Sequence, residues 1–220
     1  MSTAVSDPAR RGLLITFEGP EGSGKSTLIR GLAARLAALG RPVVTTREPG
    51  GTPVGERIRD VLLDPELTEL RPETELLLMV ASRAQLVREI VRPALAAGRI
   101  VLCDRYADAS VAYQGAGREL GRRRVDALND FAVEGTTPDL TLLCLLPPAA
   151  GRERCGDRDP DRLERETADF HERVYGAYLA MAASGDPRFR TLDATAPPAG
   201  QVEQALAHLR GLEHDLLTGL

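Results

Sequence analysis

The sequence predicts an α/β fold, a mainly parallel five-stranded sheet with helices on both faces. Three observations carry that prediction. Short apolar runs recur at 13–17, 42–46, 100–103, 140–146 and 189–192. Leucine and valine at helical spacing fill the intervals between several of them. The runs at 100–103 and 140–146 are continuously apolar, as expected of parallel strands covered on both faces. Strands alternating with helices read as βαβ units.

Residues 1–11 are small, polar and basic, and are expected to form a flexible tail ahead of one domain over 12–220. The run at 13–17 holds β-prone Ile15, Thr16 and Phe17 and is expected as the first strand. A helix follows over 25–39, where Leu28, Leu32, Leu36 and Leu39 make the apolar stripe and Gly40 supplies the stop. The strand at 42–46 leads to a helix over 53–63. Pro72 suits the first turn of a long helix running to about 97, striped by Leu76, Val80, Val87 and Val91 and ended by Gly98. The last helix is expected over 201–217, with Val202, Leu206, Leu209 and Leu216 on one face. The segment 152–165 is the most polar inside the chain. Its mixed charge fits a solvated helix face or a mobile phosphate-gripping loop. Gly156 and Pro160 favour a loop, with a helix resuming near Leu163.

With 43% hydrophobic and 27% charged residues, the 220-residue chain has enough apolar content to exclude a wholly disordered polymer. Its formal net charge of -4 provides no basic footprint for nucleic acid or an anionic membrane. No apolar run is long enough to span a bilayer, and the N-terminus lacks a signal-peptide core. Cys103, Cys144 and Cys155 have no zinc-ligand spacing, and their odd number fits a reducing compartment, hence a cytoplasmic location.

Of the 28 Lys and Arg residues, only Lys25 is a lysine. Such a bias isolates the one place that retains a compact ammonium. Lys25 closes the segment Gly19, Pro20, Glu21, Gly22, Ser23, Gly24, Lys25, Ser26, which matches G-x-x-x-x-G-K-[ST] in full, between the first strand and the first helix. Glycines let backbone N–H groups approach phosphate oxygens, and the helix N-terminus adds donors and a positive dipole end. In such a loop Lys25 reaches the β- and γ-phosphates of ATP and the Ser26 hydroxyl faces Mg²⁺. Thr27 stands where a dinucleotide fingerprint would need its third glycine.

The strand at 100–103 is followed by Asp104, a carboxylate placed for the Mg²⁺ shell, and by Arg105, placed to hold a second phosphate. Arg47 follows the second strand in Thr-Arg-Glu-Pro-Gly-Gly and is a second candidate phosphate ligand, with Glu48-Pro49 read as a cis or tight-turn peptide. The phosphate loop alone is shared by kinases of several nucleotides, by deoxynucleoside kinases and by non-enzymatic nucleotide switches. Two candidate arginines for an acceptor phosphate weigh against a deoxynucleoside kinase, which needs a base for a neutral hydroxyl. A switch needs no acceptor-phosphate site.

The chain resembles bacterial thymidylate (dTMP) kinases. The resemblance rests on Phe-Glu-Gly-Pro-Glu-Gly-Ser-Gly-Lys-Ser-Thr, Thr-Arg-Glu-Pro-Gly-Gly-Thr, Asp-Arg-Tyr…Ser-Val-Ala-Tyr-Gln-Gly and Pro-Asp-Leu-Thr-Leu, in that order, over about residues 12 to 210. It implies a P-loop three-layer sandwich with a short arginine-rich lid at 152–162. The implied reaction converts dTMP to dTDP with ATP and Mg²⁺, a step toward dTTP for DNA replication. ATP would be held by residues 19–27 and Mg²⁺ by Ser26 and Asp104. Glu21 would face the deoxyribose 3′-hydroxyl, and Arg47 and Arg105 would grip the dTMP phosphate. Arg83 and Gln114 would hydrogen-bond thymine with Ser110 beside them. The phosphate loop has no arginine at its variable positions, which resembles the class that supplies its catalytic arginine from the lid. Arg158 is the first choice, with Arg154 and Arg162 behind it.

The sequence departs from the family at three places. Met79 stands where an aromatic residue often stacks on thymine, Ala109 replaces a frequent serine, and Leu145 a frequent Asp or Asn. The resemblance also implies a homodimer, with the 73–91 helix as the candidate face.

Overall fold

The computed structural model describes residues 12–156 and 159–220. The expected tail at 1–11 lies outside the described residues, as does Arg158.

Five strands form the sheet: β1 (Leu13–Glu18), β2 (Val43–Arg47), β3 (Ile100–Asp104), β4 (Leu140–Leu145) and β5 (Phe189–Asp193). Their order is β2-β3-β1-β4-β5, and every neighbouring pair is parallel. In β1, Leu13, Ile15 and Phe17 point to one face, because successive strand side chains alternate. There they pack with Leu28, Leu32 and Leu36 of α1 (Lys25–Ala38) and Leu206 and Leu209 of α9 (Pro198–Arg210). On the other face Leu14, Val101 and Cys103 pack with Leu86, Val87 and Val91. Both faces are covered, which is why these strands are apolar throughout. Thr16 and Thr141 are buried polar exceptions, and their hydroxyls satisfy each other at 2.8 Å.

The expected first helix and its stop are borne out. Gly40 takes φ 72°, and the Arg41 N–H closes on the Leu36 carbonyl. Helix α2 (Pro53–Leu63) spans its expected residues, capped by Thr52 Oγ1 accepting from Gly55 N. The expected long helix over 72–97 is α3 (Pro72–Leu86), a π turn (Val87–Val91) and α4 (Arg92–Ala96) in succession. Pro93 explains the interruption: it has no N–H for the turn before it, and a wider turn relieves its clash with the preceding carbonyl.

Three helical segments were not anticipated from the sequence: α5 (Ala107–Ser110), running into a π segment (Val111–Gly117), α6 (Arg122–Val133) and α7 (Pro148–Cys155); α8 (Ala168–Ala182) buries Phe170, Val174, Tyr178 and Met181 on one stripe. The helix expected near Leu163 begins only at Ala168. Asp161 Oδ1 accepts from Leu163 N and Glu164 N, which folds that stretch into a turn. Thr167 then caps α8 by accepting from Phe170 N. Residues 152–155 of the expected loop complete α7 instead. The expected helix over 201–217 is α9, opened by Pro198 and ended at Arg210, followed by a 3₁₀ turn (Asp215–Leu217). Among the described residues no helix is long and apolar enough to cross a membrane.

Candidate active site

The strand order reverses direction around β1, which places β3 on one side of it and β4 on the other. Open parallel sheets bind ligands at the carboxyl ends of the strands at such a point. A cavity of about 530 Å³ opens there, lined by the loop after β1, the ends of β2 and β3, and faces of α2, α3 and the helix after β3.

The glycine-rich loop fills the gap between Glu18 and Lys25. Gly22 has φ 72°, and a Cβ there would lie 2.2 Å from the Gly151 carbonyl of α7, so both handedness and space require glycine. Ser23 Oγ donates to Pro20 O at 2.8 Å. Lys25 Nζ donates to Gly19 O (2.9 Å), Pro20 O (2.7 Å) and Ser23 Oγ (3.2 Å). Burial pulls the Lys25 ammonium below its ordinary range, the Arg105 charge adds to this, and Asp104 and Glu21 oppose it. Ser26 Oγ donates to Asp104 Oδ2 at 3.0 Å. Thr27 is exposed in the first turn of α1.

Arg105 forms the hub of the site. Its backbone takes φ 68°, in the left-handed region that is costly for a side chain with Cβ. Nη1 donates to Gly19 O and Tyr178 Oη, and Nη2 to Glu21 Oε1 and Tyr113 Oη. Burial would raise the Glu21 carboxyl, but Arg105, Lys25 and the Tyr113 hydroxyl hold it below the usual carboxylate range. Glu18 is buried beneath. It accepts from Tyr106 N, Ala109 N and Tyr178 Oη. Burial and the Asp108 charge push Glu18 up to about 8, against the pull of Arg105.

At the far end of the cavity α3 presents Glu75, Met79 and Arg83 at four-residue intervals, one face of the helix. Arg83 is buried, and each of its three nitrogens already donates to a protein acceptor. These are Glu48, Ser110, Asn129 and the Tyr106 carbonyl. Glu48 precedes a cis peptide to Pro49. Burial pushes its carboxyl up to about 6 against the Arg83 charge. Gln114 Nε2 donates to Glu75 Oε1 at 2.9 Å.

The structure therefore brings Glu21, Lys25, Ser26, Arg47, Met79, Arg83, Asp104, Arg105, Ala109, Ser110 and Gln114 to one cavity. Arg47 is half exposed there and paired with Glu56 at 2.7 Å. Leu145 does not line the cavity; it packs with the cluster around Tyr113 and Phe170. Two of the three lid arginines are held elsewhere. Arg154 Nη1 donates to Ala194 O, and Arg162 is buried with Nε on Leu62 O and Nη2 on Glu75 Oε2. The sequence reading missed Glu18, Glu75, Tyr113 and Tyr178. Only Glu75 left a usable signal, its four-residue spacing from Met79 and Arg83.

A family model described as "Thymidylate kinase" matches residues 17–206. The chain is similar to curated proteins named thymidylate kinase. That of Deinococcus radiodurans is 53% identical over 188 residues, covering 85% of this chain and 91% of the relative. That of Pseudomonas fluorescens (strain Pf-5) is 51% identical over 199 residues, covering 90% and 94%. That of Latilactobacillus sakei is 44% identical over 199 residues, covering 89% and 93%.

Proposed function

The chain belongs to the thymidylate kinase family and phosphorylates dTMP to dTDP with ATP; on that premise we propose the roles of its residues, its metal and its assembly. The observation that carries the assignment is the single cavity joining the phosphate loop at one end to the α3 face at the other. One nucleotide is held by residues 19–27, and dTMP lies along the cavity toward Met79.

The attacking atom is already an anionic phosphate oxygen, so no strong base is required. Catalysis reduces to alignment and neutralisation of charge on the transferred group. Lys25 turns its ammonium from the loop carbonyls to the donor phosphates. Arg47 and Arg105 hold the acceptor phosphate, and the ionised Glu21 carboxylate accepts from the 3′-hydroxyl. Gln114 and Arg83 contact thymine, with Ser110 beside them. Arg83 does so by sharing an N–H it now gives to protein. Met79 packs on the base through its thioether. We assign the catalytic lid arginine to Arg158, because Arg154 and Arg162 are engaged with Ala194, Leu62 and Glu75.

The paired hydroxyl and carboxylate of Ser26 and Asp104 fit Mg²⁺, which takes one or two protein oxygens and completes its shell with water and phosphate. Bound there, it would neutralise charge on the ATP phosphates.

A homodimer through α3 and α6 is supported by Leu77 and Phe131, which are 56% and 75% exposed on these adjacent helices. The stripe formed by Leu76, Val80, Val87 and Val91 is core and takes no part in it. Buried Cys103 and Cys144 suit the cytoplasm. We read residues 12–220 as one kinase domain.

Coupled ADP release with a panel of nucleoside monophosphates tests the assignment. Turnover with dTMP well above dCMP and the purine monophosphates is expected, and equal kcat/KM for dCMP would refute the thymine contacts.

A further inference from the structure

Glu75 has no role in the chemistry above, yet it is completely buried in the wall at the base end of the cavity. Both of its oxygens are used twice. Oε1 accepts from Gln114 Nε2 at 2.9 Å and Arg118 Nε at 3.2 Å. Oε2 accepts from Arg118 Nη2 at 2.8 Å and Arg162 Nη2 at 2.7 Å. A carboxylate offers only lone pairs, so the Gln114 amide must turn its NH₂ toward it. The acceptor Oε1 of Gln114 is then the end left for the cavity, which Gln114 lines.

We infer that Glu75 is a positioning residue for base selectivity: by fixing the Gln114 amide it presents an acceptor to the base, selecting a pyrimidine whose N3 carries a hydrogen. This rests on the reading of the cavity as the dTMP site. Thymine and uracil have that N3–H; in cytosine N3 is a lone pair, which would face a second lone pair. The amide alone cannot discriminate, since a half-turn exchanges its donor for its acceptor. Selectivity therefore resides in the group behind it.

The two arginines keep that group an acceptor. Burial alone would raise the Glu75 carboxyl. Hydrogen bonds from Arg118 and Gln114, the Arg118 charge and the bond from Arg162 hold it below the usual carboxylate range. A protonated Glu75 could donate, and the amide code would reverse. Arg118 is itself braced by Glu166 at 2.6 Å.

The test compares kcat/KM for dTMP and 5-methyl-dCMP, which differ only at ring positions 3 and 4. It uses wild type, Glu75→Gln and Glu75→Asp. The glutamine offers N or O and frees the Gln114 amide to turn; the aspartate stays charged but falls short of it. The preference for dTMP should drop about tenfold or more in both. A merely structural Glu75 would slow both substrates together. An unchanged ratio in a folded Glu75 variant overturns the inference. Absence of dTMP turnover in wild type would instead overturn the kinase reading beneath it. Should neither Glu75 variant fold, the crystal structure of wild type with dTMP decides. N3 within hydrogen-bonding distance of Gln114 Oε1 supports the role, and N3 on any other group refutes it.

Discussion

Replacing Lys25 with methionine should abolish most turnover while barely disturbing the fold, and the hydrogen bonds of the loop say why. Lys25 donates to two carbonyls and a hydroxyl. Gly19 O also receives Arg105 Nη1 at 2.9 Å, and Pro20 O also receives Ser23 Oγ at 2.8 Å. Neither carbonyl is orphaned when the ammonium goes, so the penalty of about 1–3 kcal/mol for a buried unsatisfied group does not arise. The lost charged hydrogen bonds are offset by relief of a buried cation whose pKa is lowered first by desolvation. The net loss should stay below about 2 kcal/mol, or a Tm fall of under about 8 °C for a chain of this size. Turnover is another matter, because the methionine has no charge to aim at the transferred group. Loss of one aimed donor in a dry site costs about 10²–10³ in kcat, or roughly 3–4 kcal/mol. Lys25→Arg should also be poor, since a planar fork is larger than the ammonium this loop encloses. The assays are coupled ADP release and a thermal melt of the same preparation. A kcat within a few-fold of wild type would refute the transition-state role. A Tm fall beyond about 15 °C would refute the bond accounting.

Three further outcomes are expected. Burial raises the folded Glu18 carboxyl from 4.5 to about 8, so the folded chain keeps a proton that the unfolded chain has released; stability should fall as pH rises from about 4.5 toward 8. Glu18→Gln mimics the protonated form and should flatten that dependence in melts at pH 5.5 and 8; an unchanged slope would assign it to another group. Met79→Phe should lower KM for dTMP with kcat similar, by giving the base an aromatic face; an unchanged KM places Met79 away from the base. Phe131→Arg should convert dimers to monomers in light scattering; persistence of dimers would move the interface off α6.

Much of the site was legible because its chemistry is encoded locally. The glycine spacing with Lys25 is one pattern confined to a few residues and the apolar strand ending at Asp104 is another, and the structure brings the two to one cavity. The central strands β1, β3 and β4 were readable for a related reason: burial on both faces leaves little room for polar residues, whereas the edge strands β2 and β5 carry exposed Thr and Arg. The π turn before Pro93 and the late start of α8 were not readable, because each depends on which carbonyl or side chain fills a local vacancy. Tyr178 was hidden by distance in sequence, since only the packing of α8 against the π segment brings its hydroxyl to Arg105; Tyr113 lies eight residues from Arg105, but its spacing alone assigns it no role. Arg162 misled for the opposite reason. In sequence it belongs to a run of solvated charge, whereas a buried carboxylate 87 residues away draws it inward.

The lone buried lysine also makes the chain unusual toward amine-directed reagents. Acylating probes have a single ε-amino target in the sequence, and it is only 7% exposed beneath the carbonyls of its own loop. Desolvation leaves more of that amine neutral, and so nucleophilic, than solvent would allow. A reagent delivered on a nucleotide would react at the phosphate loop with no background from other lysine side chains. Covalent incorporation would then count open loops directly, and protection by ATP would titrate occupancy in a mixture without any measurement of turnover.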